Sequence, residues 1–221
     1  FRTLRKYVSG SITTREAQRA VRQAKLEAAL QDSKEQAEAI RLLQDIADNC
    51  PVTRNIPERL RNKLIPKELP FVTPLPEGSI VFLYDGEKDH VLGKSTAEEF
   101  VERNPTMSQK VFSFDIKRSK AHDVHGKLWI QLLVSVLLDR IAAIVAGPNC
   151  RSWSVLLNRV VDGRSPPVRT RKDPWTYSGP GWSEYWQDWL DRESLLFIKP
   201  IFLLIVSSYV SLNGRKPMAY L

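Results

Sequence analysis

Cysteine is almost absent: the 221 residues hold only Cys50 and Cys150. Two thiols cannot frame a disulfide-stapled fold, so a reducing compartment is expected. The histidines are equally few, and His90, His122 and His125 stand in no metal-ligand spacing with either cysteine, so no metal site is expected. Long apolar runs are lacking too. The best of them, Leu195 to Leu212, is broken by Lys199 and Pro200 and carries Ser207, Ser208 and Ser211, too little for a span of roughly 20 apolar residues. It reads as a buried helix, with no membrane partner expected. No secretory leader pattern opens the chain, which starts at Phe1 and reads as an intracellular fragment of a longer protein.

Acidic charge is in the minority. Lysine and arginine number 33 against 25 acids, which leaves a net charge of +8 and a pI near 9.6. Such a balance suits a polyanionic partner, nucleic acid first, and equally a soluble protein that is simply basic. A hydrophobic content of 43% with 26% charge excludes a disordered or fibrous chain. The length suits one ordinary domain and an appendage.

Residues 1–70 read as that appendage, a basic helical arm followed by a proline-rich linker. Thr13 and Glu16 form a capping-box pair ahead of a run without Gly or Pro until Pro51. The apolar stripe Ala17, Val21, Ala24, Ala28 lapses and resumes at Ile40, Leu43 and Ala47. It suits an arm lying on the domain or a self-association surface better than a long coiled coil. The first 25 residues hold seven basic side chains against Glu16 alone, either a solvated face or a phosphate-binding arm. From Pro51 to Pro76 prolines recur around a short helix near Glu58 to Leu64, and the boundary is expected near Pro70.

From residue 71 strands and helices alternate. Strands are expected at Ser79 to Tyr84, Lys110 to Asp115 and Ile141 to Ala146, with a further short one at His122 to Val124. Helices are expected at Thr96 to Glu102, Leu128 to Asp139 and Leu195 to Leu212, and the closing Met218 to Leu221 reads as the start of another strand. Alternation of this kind predicts an α/β domain over 71–221, a Rossmann-like, doubly wound, mostly parallel sheet with the helical arm before it. Ligands of such sheets bind outside the carboxyl ends of the strands. An acid ending the second strand can accept hydrogen bonds from ribose hydroxyls, and Asp115 has that place, although strand-end aspartates also serve as turn formers.

The third of those strands runs into Gly147-Pro148-Asn149-Cys150-Arg151, then Trp153 and Ser154. Cys150 is either a small hydrophobe closing a turn or a displayed thiol. This stretch resembles the catalytic-loop motif of the DNA cytosine-5 methyltransferases, Gly-Pro-Pro-Cys-Gln followed by an aromatic and a serine. The resemblance implies that Cys150 attacks the pyrimidine ring of a flipped cytosine. It implies S-adenosylmethionine as cofactor, with Asp115 on the ribose, Asp123 on the adenine, and Asp85, Gly86 and Pro148 also in contact. The family's Phe-x-Gly-x-Gly loop corresponds here to Leu83-Tyr84-Asp85-Gly86-Glu87-Lys88, which keeps one glycine. A diverged relative without catalysis is therefore an open alternative.

A nucleophilic cysteine must be thiolate, which neighbouring cations favour. Arg151 is adjacent, and the Gly/Pro-punctuated stretch beyond it carries Arg159, Arg164, Arg169, Arg171 and Lys172. Arg151, Ser154, Arg164, Arg169, Arg171 and Lys172 are the candidate nucleic-acid contacts, DNA and hence the nucleus being implied by the resemblance; ordinary solvated arginines are the alternative. In the aromatic group that follows, Tyr185, Trp186 and Trp189 have the helical spacing of core positions, which leaves Trp175 and Trp182 for ligands. In the family the closing strand ends in a Glu-Asn pair, and 221 residues stop short of it. This fragment is thus expected to be inactive alone. The competing reading is a non-catalytic nucleic-acid-binding module of the kind found in retroelement-type polyproteins.

Overall fold

The computed structural model describes residues 33–70, 72–86, 93–148, 151–153, 167–177, 179, 184–211 and 219–220. In chain order these form helices α1 (Ser33–Asn49), α2 (Pro51–Arg54) and α3 (Glu58–Arg61), strand β1 (Ser79–Leu83), α4 (Thr96–Arg103), β2 (Val111–Phe114), α5 (Lys127–Leu137), β3 (Ile141–Ala146), α6 (Glu184–Ser211) and the two-residue β4 (Ala219–Tyr220). The fold is mixed α/β. Its sheet is small and parallel, in the order β2-β1-β3-β4.

The sheet is covered on both faces because each strand sends alternate side chains to opposite sides. Ile80 and Phe82 of β1 meet Ala97 and Phe100 of α4, together with Ala143 and Val145 of β3. Val81 and Leu83 face the larger core with Phe112, Phe114 and Ile144, under α5 and α6. β3 departs from simple alternation: Ser79 pairs with Ile141 but Ile80 with Ala143, so Ala142 is an extra residue. This bulge turns Ile141 to the same face as Ile144 and lets both reach the large core.

Local chemistry sets the helix ends. Ser95 Oγ accepts the Glu98 N–H at 3.3 Å while Glu98 Oε2 accepts the Ser95 N–H at 2.9 Å, a capping box that starts α4. α5 is buried nearly all round and stops where Asp139 takes φ 56°. There Arg140 N–H donates to Ser135 O at 2.8 Å and Asp139 N–H to Val136 O at 2.9 Å, which satisfies carbonyls left over at the helix end. α6 is long and apolar enough to cross a membrane by length and composition. Here Leu195, Ile198, Phe202, Leu203 and Val206 pack it into the core.

Residues 33–70 are not a separate arm over the part that is described. Leu43, Ile46, Ala47, Ile56, Leu60, Leu64 and Leu69 belong to the same core as Val81, Trp129 and Phe202. Trp129 Nε1–H donates to Leu64 O at 2.8 Å. The helical core of the domain thus begins well before Pro70; the basic residues before Ser33 lie outside the described residues.

Candidate functional site

β1 is flanked by β2 on one side and β3 on the other, so the chain crosses the sheet between them, and the crevice in which open parallel sheets bind ligands falls by that rule at the carboxyl ends of β1 and β3. Tyr84 and Gly86 leave β1 at that edge, both in the left-handed region, with φ 61° and 74°. For tyrosine that conformation is strained, and strain of this sort collects at functional turns. Tyr84 N–H donates to Phe114 O at 2.9 Å and Gly147 N–H to Leu83 O at 3.2 Å, which pins the loop to the ends of both neighbouring strands. A side chain at Gly147 would start 3.9 Å from Tyr84 O, and one at Gly86 would meet open space. Pro148 follows, half-buried, at the same mouth.

Asp115 stands at the end of β2 and is 8% exposed. Its Oδ2 accepts the Gly86 N–H at 2.9 Å and its Oδ1 the Lys117 N–H at 2.8 Å. Each oxygen keeps a further lone pair. Asp85 is held differently, its side chain fully enclosed by partners within the fold. Oδ1 accepts the Ala97 N–H at the start of α4 at 3.2 Å, and Oδ2 takes Ser113 Oγ–H at 2.7 Å and Arg118 Nη2–H at 3.4 Å. An anion at a helix N-terminus is favourable there, so Asp85 fastens the loop rather than facing a ligand. Asp123 does not follow a strand. The segment before it is a 3-10 turn, Lys120–His122, and Asp123 Oδ1 accepts the His125 N–H at 2.8 Å. Asp115 and Asp123 therefore sit on one loop, 115–126, that leads into α5.

Behind that loop lies Lys199, a residue sequence reasoning treated only as an interruption of an apolar run. It is 3% exposed, and burial pushes its pKa down to about 7 against the attraction of Asp123. His125 is pushed down to about 4, by burial first and then by Lys199.

Beyond the crevice, Cys150, Ser154 and Arg164 lie outside the described residues, and Arg151 opens a short 3-10 turn, Arg151–Trp153. Arg169 is not presented to a phosphate. It is 3% exposed, and its guanidinium donates to Ser152 O at 3.1 Å, Ser152 Oγ at 2.8 Å, Ser194 Oγ at 3.1 Å and Pro174 O at 2.6 Å. It also lies 3.8 Å from the Trp153 ring centroid. Burial pushes its pKa down to about 10, so it remains a cation that ties the 151–153 turn to α6. Arg171 and Lys172 are exposed.

The aromatic assignment changes as well. Trp175 meets Trp153 edge to face at 5.8 Å and packs against the core, while Trp182 lies outside the described residues. The exposed rings are Tyr185 and Trp186, at 72% and 41%, with Tyr177 stacked on Trp186. Glu184 opens α6 only one residue earlier, so Tyr185 and Trp186, expected at core positions, fall on a first turn facing solvent, while Trp189, a turn further on, is half-buried. Among the described residues no group of three His, Cys, Asp or Glu could hold a metal. The chain matches no protein-family model, no curated protein and no solved structure.

Proposed function

We propose that this chain is a diverged, Rossmann-like domain of the DNA cytosine-5 methyltransferase type that binds S-adenosylmethionine at the β1/β3 crevice. The observation that carries the reading is the reversal of strand order beside Gly86, Asp115 and Gly147, with an acid ending the second strand. The residues present fit an adenosyl ribose. Asp115 keeps acceptor capacity on both oxygens, and Gly86 leaves its α-carbon face open. When bound, S-adenosylmethionine supplies an electrophilic methyl group. Asp115 receives ribose hydroxyls, the left-handed Tyr84 and Gly86 set the loop's path, and Cys150 is the nucleophile toward cytosine. The partner is DNA, with Arg171 and Lys172 as exposed cations toward phosphate.

A second reading, a non-catalytic nucleic-acid-binding module on the same sheet, is favoured by one observation. The Gly86 amide, which the cofactor loop would offer to a ligand, is already bonded to Asp115. Titration calorimetry of S-adenosylmethionine into the folded wild type and Asp115→Asn separates the two. Binding that the substitution weakens supports the methyltransferase-like site, and trapping of Cys150 on a cytosine analogue then tests the nucleophile. A folded wild type that binds nothing leaves the non-catalytic module.

A further inference from the structure

Lys199 lies midway along α6 between Ile198 and Pro200, yet its amine reaches across to the loop that follows β2. Nζ–H donates to Val124 O at 2.6 Å, and Nζ stands 4.8 Å from the centroid of the Trp129 ring. Val124 is the second residue of a tight turn. Asp123 Oδ1 accepts the His125 N–H at 2.8 Å, Gly126 N–H donates to Asp123 O at 3.0 Å, and α5 starts at the next residue. An ammonium taken out of water is costly and persists only where specific partners offset the loss. Here those partners are one carbonyl, one aromatic face and the Asp123 charge, and all of them lie on the turn or on the first turn of α5.

We infer that Lys199 is a positioning residue of the candidate site: its ammonium holds the 123–126 turn, and with it the Asp123 carboxylate, at the carboxyl edge of the sheet. The inference rests on the proposed function only for what that edge binds. The charged groups around the cluster come from every element packed on it. Asp123 and His125 belong to the turn, Arg192 to α6 itself, and Lys63 to the segment after α3. Asp123 alone attracts the ammonium, while Arg192 and Lys63 add positive charge nearby.

The tether changes character near neutrality, because Lys199 titrates at about 7. As an ammonium it makes a charge-assisted hydrogen bond, a cation–π contact and an attraction to Asp123. After its proton leaves to solvent, the neutral amine retains only an ordinary hydrogen bond. His125, held near 4, is already neutral over that range and is not the group that changes. The contacts between Lys199 and the turn are therefore stronger below neutrality, although the buried charge lowers the stability of the fold as a whole there.

The test uses the full chain, isotopically labelled, wild type and Lys199→Met, with the backbone amides of residues 123–126 followed by NMR from about pH 5.5 to about pH 8.5. In the wild type those signals move together with a midpoint near 7, and the midpoint is absent from Lys199→Met. In the variant the same amides exchange with solvent roughly tenfold faster, the factor one charge-assisted hydrogen bond is worth. Thermal stability of the variant is equal to or above that of the wild type, because methionine fills the space without burying a charge. A merely structural lysine would lose stability and protection together.

A flat wild-type titration, or 123–126 amides unchanged by the substitution, overturns the inference. If the variant fails to fold, the wild-type titration decides alone. S-adenosylmethionine added below and above neutral pH separates this inference from the reading it rests on. No binding by the wild type removes the methyltransferase-like site while the amides still judge Lys199. Binding that weakens in Lys199→Met and at high pH supports both, and binding indifferent to either overturns the positioning role.

Discussion

Arg59 and Asp191, 132 residues apart, meet at 3.3 Å between α3 and α6. The Asp191 carboxylate is buried and also takes Lys63 Nζ–H at 3.3 Å and Gln187 Nε2–H at 2.9 Å, while Arg59 Nη2–H donates to Trp175 O at 2.6 Å. One acid thus joins the proline-rich 51–76 stretch to the longest helix and, through Arg59, to the 167–177 loop.

Residues 71–221 expressed alone are therefore expected not to fold cooperatively, because that cut removes Leu43, Ile46, Leu60 and Leu64 from the core. Denaturant unfolding followed by tryptophan fluorescence checks it. A sharp transition for the truncated chain would contradict the shared core. Asp191→Ala in the whole chain is expected to cost about 1 to 2 kcal/mol, less than a fully buried pair because Arg59 and Lys63 are partly solvated.

Arg169 and its neighbours should separate by phenotype. Arg169→Ala leaves Ser152, Ser194 and Pro174 without their common donor and is expected to destabilise the fold by about 3 kcal/mol. Arg171→Ala with Lys172→Ala leaves the melting temperature in place. On the DNA reading, that double variant lowers duplex affinity and flattens its salt dependence. Thermal melts beside binding isotherms at two salt concentrations distinguish the classes.

Stability is expected to rise with pH in two windows. Folded His125 titrates at about 4 against 6.5 unfolded, and folded Lys199 at about 7 against 10.5 unfolded. In both intervals the unfolded chain binds more protons, so the folded state gains as pH increases through each and loses as pH falls. Spanning about 7 to 10.5 at roughly 1.4 kcal/mol per pH unit, the Lys199 window is worth on the order of 5 kcal/mol. Urea midpoints should climb between pH 7 and 10, and Lys199→Met should level that climb.

Gly86→Ala tests the loop that leaves β1. The added methyl meets no atom within 4 Å, but φ 74° disfavours a side chain, so a loss of about 1 kcal/mol is expected from backbone strain alone. A larger loss would mean that the open face is needed for packing. Chemical denaturation gives the number.

Much of the sheet was legible in advance because its signals are local. β3 has the bounds that Ile141 to Ala146 suggested, ended by Gly147-Pro148, and the nearly all-apolar run at Leu128 reads as a buried helix in either view. What stayed hidden depends on partners far along the chain. The Arg169 charge looks solvated beside Arg171 until Ser152 and Ser194 fold around it. Lys199 looks like a break in an apolar run because Val124, its acceptor, is 75 residues away. Asp85 reads as a ligand for the same reason, since Ala97, Ser113 and Arg118 engage its carboxylate only after the sheet has formed. The strand expected at His122 to Val124 gave way to a 3-10 turn, with Ser119 Oγ capping Ala121 N–H.

β1 is buried along its whole length, and both of its partners come later in the chain. During synthesis Ile80 to Leu83 must emerge and wait while some 30 residues pass before Val111 can pair on one side, and some 60 before Ile141 closes the other. No hairpin can shelter the strand in the interval, because parallel neighbours require a crossover. β1 is the first strand to appear and stays open on both edges until β2 and then β3 arrive, so this chain is expected to fold slowly.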